Sequence, residues 1–260
     1  MNIVFAIERQ DKILDYINKE KKTSVKNLSK LFKVSEVTIR RDLEELTNKG
    51  LVIKTHGGAL SINHNYSNEI PSERKFSLNV EAKKIIGKAA AEMIEENDVI
   101  ILDAGSTTLE VAKHLCNVKN VTAITNDIKI AMVLAHKSNI TLIVTGGMLQ
   151  KSVYTLTGPT AEDFLSTVHV NKTFLGADAI SVDYGISNRT MLEIPIKRAM
   201  MRAAEEVIVV ADYSKINKKV FAHLCDLKQV DKLVIDKTNS DIEKTFEEIG
   251  IKLINATKKS

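Results

Sequence analysis

Residues 35–43 read Ser35-Glu36-Val37-Thr38-Ile39-Arg40-Arg41-Asp42-Leu43, and the reading of the N-terminal quarter turns on them. Ile39, Leu43 and Leu46 recur at i, i+4 and i+7, one face of a helix running from Glu36 to about Lys49. Ser35 precedes that helix as an N-cap, its hydroxyl placed to accept from a free amide of the first turn. Val34 and Ile39 hold the N′ and N4 positions of a hydrophobic staple, while Thr38 at N3 leaves the reciprocal acid of a capping box missing. Gly50 is the expected C′ residue that stops the helix.

Working outward, two more helical patterns come before it. Glu8 to Lys19 carries Ile13, Leu14 and Ile17, and Ser24 to Phe32 carries Val25, Leu28, Leu31 and Phe32. Only Lys33 and Val34 separate the second pattern from the Ser35 cap, the short connection of a helix-turn-helix. The third helix then becomes the one that enters a DNA groove. Its apolar stripe packs inward, so Thr38, Arg40 and Arg41 lie on other faces. Arg41 can make a bidentate contact to guanine, and Thr38 can meet a thymine methyl or a phosphate. After it, Leu51 to Thr55 and Ala59 to Ile62 flank His56-Gly57-Gly58, which predicts a hairpin or wing. The expected DNA contacts are therefore Ser35, Thr38, Arg40 and Arg41 from the helix, with Lys54, His56 and Gly57 from the wing. A three-helix protein-interaction module with solvated arginines has the same outline.

Charge placement favours nucleic acid. The chain has a formal net charge of +4. Residues 1–62 hold 12 of the 37 basic and 8 of the 33 acidic residues, leaving 25 of each in the remainder. All of the excess sits in the first quarter, where a phosphate backbone would be met. No apolar run is long enough to span a bilayer, and Glu8, Arg9 and Asp11 break up any signal-peptide pattern, so a cytoplasmic location without membrane association is expected. Cys116 and Cys225 have no Cys or His at metal-ligand spacing and read as two buried or idle thiols; neither a metal nor a cofactor is expected.

The segment 63–75 is polar, contains Pro71 and reads as a linker between a first domain at 1–62 and a second at 76–260. The second domain alternates. Strands are predicted at Val99–Leu102, Val121–Thr125, Ile140–Thr145, Lys172–Leu175, Val207–Ala211, Leu233–Ile235 and Lys252–Ile254, with helices between most of them. Continuous apolar strands interleaved with helices predict an α/β fold with a mainly parallel sheet. Ligands in such sheets bind beyond the strand C-termini. There the sequence places Asp103-Ala104-Gly105-Ser106-Thr107-Thr108, Asn126-Asp127, Gly146-Gly147, Gly176-Ala177-Asp178 and Asp212-Tyr213-Ser214-Lys215. Gly105 to Thr108 opens directly into a helix and suits a phosphate or carboxylate, or is an ordinary capped turn. It is neither a Walker A loop nor a dinucleotide loop. Taken singly, Gly146-Gly147 reads equally as a tight turn, Asp178 as a helix cap and Lys215 as a solvated lysine. Their convergence on one rim points to a ligand.

The string from Arg9 through Ser35–Leu43, Gly50 and His56-Gly57-Gly58-Ala59 resembles the N-terminal signature of DeoR-type bacterial regulators. Asp103-Ala-Gly-Ser-Thr-Thr, Phe174-Leu-Gly-Ala-Asp, Gly185-Ile-Ser, Glu193…Lys197-Arg198 and Asp212-Tyr-Ser-Lys215 resemble the sensor domain of the same family. That resemblance implies a winged helix-turn-helix joined to an α/β domain similar in fold to ribose-5-phosphate isomerase and glucosamine-6-phosphate deaminase. It implies a repressor of a sugar-catabolism operon, bound as a homo-oligomer (dimer or tetramer) to double-stranded operator DNA and released by a phosphorylated sugar. It suggests Gly105, Ser106, Thr107 and Thr108 for the phosphate and Asp178, Glu193, Lys197 and Lys215 around the sugar, and Asp103, Gly146 and Gly147 of the same rim complete the expected effector contacts. A sugar-phosphate isomerase or deaminase carrying an added DNA-binding module is the alternative. The isomerases of that fold carry an acid after Gly-Ala-Asp, whereas Ala179 follows Asp178 here, which argues for binding without turnover and for no catalytic residue.

Overall fold

The computed structural model describes residues 6–20, 22–48, 51–55, 57–61, 72–116, 118–150 and 153–258. The chain divides into two compact units, Met1–Ile70 and Pro71–Ser260.

The first unit runs α1 (Ala6–Glu20), β1 (Lys22–Ser24), α2 (Val25–Phe32), α3 (Glu36–Asn48), β2 (Val52–Thr55) and β3 (Gly58–Ser61). Ile13 and Ile17 of α1, Val25 and Leu28 of α2, and Ile39, Leu43 and Leu46 of α3 close on one another with Val52 and Ala59. Each such side chain contributes about 1.5–3 kcal/mol on leaving water. Ser24 caps α2, its hydroxyl accepting from Asn27 N at 3.1 Å, and Lys33 ends it in the left-handed region at φ 54°. The Gly50 stop and the His56 wing tip lie outside the described residues.

The wing is a three-stranded antiparallel sheet in the order β1-β3-β2, one strand more than the sequence predicted. Lys22, Thr23 and Ser24 pair with Leu60, Ala59 and Gly58. A three-residue strand has no room to show alternation, and only the distant partner reveals it. Gly58 is needed there, because a β-carbon would lie 2.0 Å from Thr23 O.

The second unit opens with α4 (Ser72–Ser77) and α5 (Val80–Ala91), so the chain is already helical within the stretch read as linker. It continues through β4 (Val99–Leu102), α6 (Ser106–His114), β5 (Val121–Thr125), α7 (Ile128–Leu134) and β6 (Ile140–Val144). A hairpin, β7 (Met148–Gln150) with β8 (Thr155–Thr157), leads to α8 (Pro159–Ser166) and β9 (Val170–Gly176). Beyond it come β10 (Ala179–Ser181), β11 (Gly185–Asn188), α9 (Ile194–Ala203) and β12 (Ala204–Val210). Then follow β13 (Ala222–Cys225), β14 (Lys232–Ile235), α10 (Ser240–Ile249) and β15 (Lys252–Asn255).

Seven strands form a parallel sheet in the order β15-β14-β12-β9-β4-β5-β6, and the strands β10, β11 and β13 form a small antiparallel sheet beside it. The seven predicted strands are these seven. Two apolar layers cover the faces of the large sheet. One includes Ile101, Leu175, Val209 and Leu233 with Ile196 and Met200 of α9. The other includes Ile100, Leu102, Phe174 and Val210 with Ile86 of α5 and Val111 of α6. Alternate residues of one strand thus point into opposite layers, which is why the strands are apolar throughout. Cys225 is buried as expected, but Cys116 is exposed at the end of α6.

From β4 the sheet grows toward β5 and β6 on one side, and through β9, β12, β14 and β15 on the other. The strand order therefore reverses between β4 and β9. A crevice opens at such a switch point, outside the strand C-termini.

Candidate nucleic-acid interface and effector site

On α3 the surface agrees with the inward stripe. Ser35 Oγ accepts from Thr38 N at 3.1 Å and lies 2.9 Å from Thr38 Oγ1, so the cap and the first candidate contact share one hydrogen-bonded turn. Arg40 pairs with Glu36 at 3.1 Å, and Arg41 lies 3.6 Å from Glu45 with its side chain 83% exposed. Exposed ion pairs of this kind hold side chains weakly, which leaves Arg41 able to exchange its partner for a phosphate or a base. Val37, beside them, is also exposed. Lys54 lies in β2 and Gly57 at the exposed turn into β3, where its carbonyl accepts from Val25 N at 2.9 Å. His56 is outside the described residues.

What orients α3 was not visible as a local pattern. Asp42 is buried and takes two hydrogen bonds from Arg9 of α1, at 2.6 and 3.1 Å. Gln10 adds bonds to Asp42 at 3.3 Å and to Glu45 at 2.6 Å. The bond to Asp42 raises the Arg9 pKa further, so the guanidinium stays charged. A forked, buried pair of this geometry fixes direction as well as distance.

In the second unit charged side chains meet from both sides of the switch point. Asp103, the residue after β4, is 1% exposed, and its carboxylate accepts from Gly176 N of β9 at 2.9 Å. Lys197, 2% exposed on α9, donates to the same oxygen and to Gly176 O at 3.0 Å. Burial alone would lower the Lys197 pKa, but Asp103 and Glu193 more than offset it and the ammonium is retained. Glu193 is buried and accepts from Asn188 Nδ2 at 3.2 Å. Asp178 accepts from Arg189 N at 3.1 Å and faces Lys75 of α4 at 3.6 Å. Burial pushes the Asp178 carboxyl up, yet Lys75, Lys215 and Arg189 overcome it and hold its pKa at about 2.

Asp103, Asp178, Glu193, Lys197 and Lys215 therefore stand in one charged network. Lys215, half-buried in a turn after β12, has a pKa lowered by burial, opposed by Asp212 and Asp178 and reinforced by Lys75 and Arg189. Arg74 is also lowered by burial, with Arg189 adding to it. Three cations, Lys75, Lys215 and Arg189, thus act on the Asp178 carboxylate, Arg74 lies within reach of Arg189, and Asp212 shares Lys215 with Asp178.

Gly105 precedes α6, and Ser106, Thr107 and Thr108 form its first turn. Thr108 Oγ1 donates back to Gly105 O at 2.9 Å. Asn126 is fully buried and ties this loop down, accepting from Ala104 N at 2.9 Å and donating to Leu156 O at 3.2 Å. Asp127 caps α7, and its pKa is pushed up to about 6, chiefly by burial and in part by Asp103. Gly146 and Gly147 follow the edge strand β6, two strands from β4, at φ 72° and 108°. A β-carbon on Gly147 would lie 2.7 Å from Thr157 O, so this pair shapes the turn into the β7–β8 hairpin.

Sequence reasoning missed Lys75, Lys83, Asn188 and Arg189. Lys83 is buried on α5 and donates to the carbonyls of Lys75 and Leu78 at the end of α4. Its pKa falls to about 8, mainly through burial. Lys83, Ile86, Gly87 and Ala90 form one buried helix face, so a lysine on an apolar stripe was a legible sign.

Together, a winged helix-turn-helix with a presented arginine and an α/β unit with a charged crevice define a DNA-binding regulator with a sensor domain. The DeoR-like helix-turn-helix domain matches residues 9–65, and the DeoR C-terminal sensor domain matches residues 78–237. An uncharacterised HTH-type transcriptional regulator YulB of Bacillus subtilis is 40% identical over 90% of both chains. The putative aga operon transcriptional repressor of Escherichia coli O157:H7 is 35% identical over 88% of this chain and 86% of its own. The repressor GlcR of Bacillus subtilis is 35% identical over 90% of each. A solved ribose-5-phosphate isomerase in complex with phospho-erythronic acid overlaps 53% of this chain and 54% of its own, at a TM-score of 0.40 and 19% identity. The chain belongs to the DeoR family of transcriptional regulators. The isomerase alternative gives way to this membership, which spans both domains. Among the described residues no helix is long and apolar enough to cross a membrane.

Proposed function

We propose that this regulator represses a sugar-catabolism operon from the cytoplasm and leaves its operator when a phosphorylated sugar fills the crevice at the β4–β9 switch point. The division is a DNA-binding domain at 1–62 and a linker from 63, with the sensor domain beginning at α4 (Ser72–Ser77) rather than at 76. One recognition helix reads too few base pairs for specificity, so the acting form is a homo-oligomer, a dimer or tetramer, on two-fold half-sites. Ser35, Thr38, Arg40 and Arg41 with Lys54, His56 and Gly57 meet the DNA. Asp103, Gly105 to Thr108, Asp178, Glu193, Lys197 and Lys215 meet the effector, with Gly146 and Gly147 shaping the rim.

The observation that carries this reading is the gathering of Lys75, Lys215 and Arg189 about the buried Asp178, with Lys75 at 3.6 Å and the Arg189 backbone amide bonded to it at 3.1 Å. Cations set beside buried carboxylates suit a ligand with an anionic group at one end and hydroxyls at the other. Binding proceeds without turnover. The repressor-named relatives favour repression, although the L-fucose operon activator of Haemophilus influenzae, 34% identical over 90% of this chain and 93% of its own, is a relative of opposite sense.

The test is a thermal-shift screen over phosphorylated sugars, paired with an electrophoretic shift of the protein's own upstream DNA. A sugar phosphate at about a hundred times its dissociation constant adds ~2.7 kcal/mol of stability. The same compound is expected to release the DNA. No stabilisation by any phosphorylated sugar would overturn the effector assignment, and no shift of the upstream DNA would overturn the operator assignment.

A further inference from the structure

Asn188 at the end of β11 and Arg189 just after it each hold one buried polar atom that no group of the protein meets. Asn188 is 2% exposed, and its amide nitrogen donates to Glu193 Oε2 at 3.2 Å. That bond fixes the amide orientation, since the reverse would set oxygen against a carboxylate. Oδ1 is therefore the acceptor left over, and it is buried without a partner. The next residue, Arg189, has a buried Nε that also lacks one. Among the described residues, three buried side-chain polar atoms are in this position, and two of them are these neighbours. The third, Thr173 Oγ1, belongs to β9.

Buried acceptors and donors without partners are costly, and folded proteins keep few of them. Here both sit against the charged crevice. Asn188 is bonded to Glu193, whose charge acts on Lys197, and the Arg189 backbone is bonded to Asp178. The Arg189 charge is felt by Asp178, Lys215 and Arg74.

We infer that Asn188 and Arg189 read the effector, resting on the proposal that this crevice is its site. Asn188 Oδ1 accepts a hydrogen bond from one hydroxyl of the sugar. Arg189 donates from Nε to the anionic group, in company with Lys75 and Lys215. Asn188 is then the specificity-determining residue, because a site built to meet a hydroxyl rejects a sugar lacking it far more strongly than an apolar pocket rejects an extra one. Arg189 contributes affinity for any phosphorylated ligand and discriminates little among sugars.

The test is titration calorimetry of the full-length protein with glucose 6-phosphate, galactose 6-phosphate, mannose 6-phosphate, fructose 6-phosphate and ribose 5-phosphate, with inorganic phosphate as the anion alone. Asn188→Ala is expected to weaken the tightest-binding sugar phosphate by about 5- to 100-fold and to compress the spread among the sugars. Its affinity for inorganic phosphate stays within about twofold of the parent's. Arg189→Ala weakens sugar phosphates and inorganic phosphate alike, and Arg189→Lys recovers most of that loss. Should Asn188→Ala fail to fold, Asn188→Ser is measured in its place, with upstream-DNA binding as the check of folding. Unchanged sugar affinity and selectivity in the Asn188 variant would overturn the inference while leaving the effector site standing. If the parent binds none of the sugars, both the site and the inference fall.

Discussion

Replacing Lys197 with methionine removes the positive half of the most deeply buried ion pair among the described residues of the sensor unit. Asp103 and Lys197 are 1% and 2% exposed, so solvent screens neither. In the Lys197→Met variant the Asp103 carboxylate keeps Gly176 N at 2.9 Å but loses its counter-ion, and Gly176 O loses the donor at 3.0 Å. Stranding one partner of a buried pair costs about 3–5 kcal/mol. For a unit the size of Pro71–Ser260, each kcal/mol lowers the melting temperature by roughly 2–4 °C, giving a drop of roughly 6–20 °C. Differential scanning calorimetry of the ligand-free protein measures it. Adding Asp103→Asn to the variant removes the stranded charge, and the pair of changes is expected to be at least ~1 kcal/mol less damaging than the sum of the singles. A Lys197→Met protein melting within about 2 °C of the parent, or strict additivity in the double variant, would refute a stability role for this pair.

Other consequences are open to measurement. Arg41→Ala should weaken operator binding by about 1–3 kcal/mol, roughly 5- to 150-fold, in a fluorescence anisotropy titration, with non-operator DNA affected much less; equal loss on both would reduce Arg41 to a phosphate contact. Gly147→Ala, at φ 108° and with Thr157 O 2.7 Å from the added carbon, should cost about 1–3 kcal/mol in urea unfolding, and a neutral result would mean that the hairpin turn relaxes freely. Lys83 has a folded pKa of about 8 against an ordinary 10.5, so the unfolded chain binds more protons between those values. Stability from this group therefore rises as pH climbs from about 8 to 10.5, and Lys83→Met should flatten that part of the pH–stability curve. An unaltered slope would show that the ammonium is not desolvated.

The fold was largely legible because its signals are local. The α3 stripe of Ile39, Leu43 and Leu46 and the Ser35 cap lie within a dozen residues, and each parallel strand announces itself as a short apolar run. The charged crevice was legible in part, because Asp103, Asp178 and Lys215 immediately follow strands or sit in the turns beyond them. Lys75 was hidden by its setting, a polar stretch after Pro71 that reads as linker and turns out to be α4. Asn188 and Arg189 depend on β11, whose partner β13 is a distant segment of chain, and nothing nearby in sequence foretells that pairing. The Arg9–Asp42 fork joins residues from two different helices, and charge alone does not say which acid an arginine will choose. Gly146 and Gly147 were grouped with the ligand rim because they follow a strand. Strand order, which sequence does not fix, puts their strand, β6, at the sheet edge, two strands from β4.

The wing sheet has a bearing on affinity. β1 runs straight into α2, and the bond from Val25 N to Gly57 O and the tight seat of Gly58 against Thr23 tie the hairpin to the helix-turn-helix scaffold. The strands of the wing and the helix that follows Ser35 thus present themselves to a duplex already in mutual alignment. Association then spends little entropy on setting one against the other, so the free energy of their contacts appears more fully in the binding constant. The same bracing has a kinetic side, since the more closely helix and wing are held to one alignment, the fewer orientations of encounter succeed.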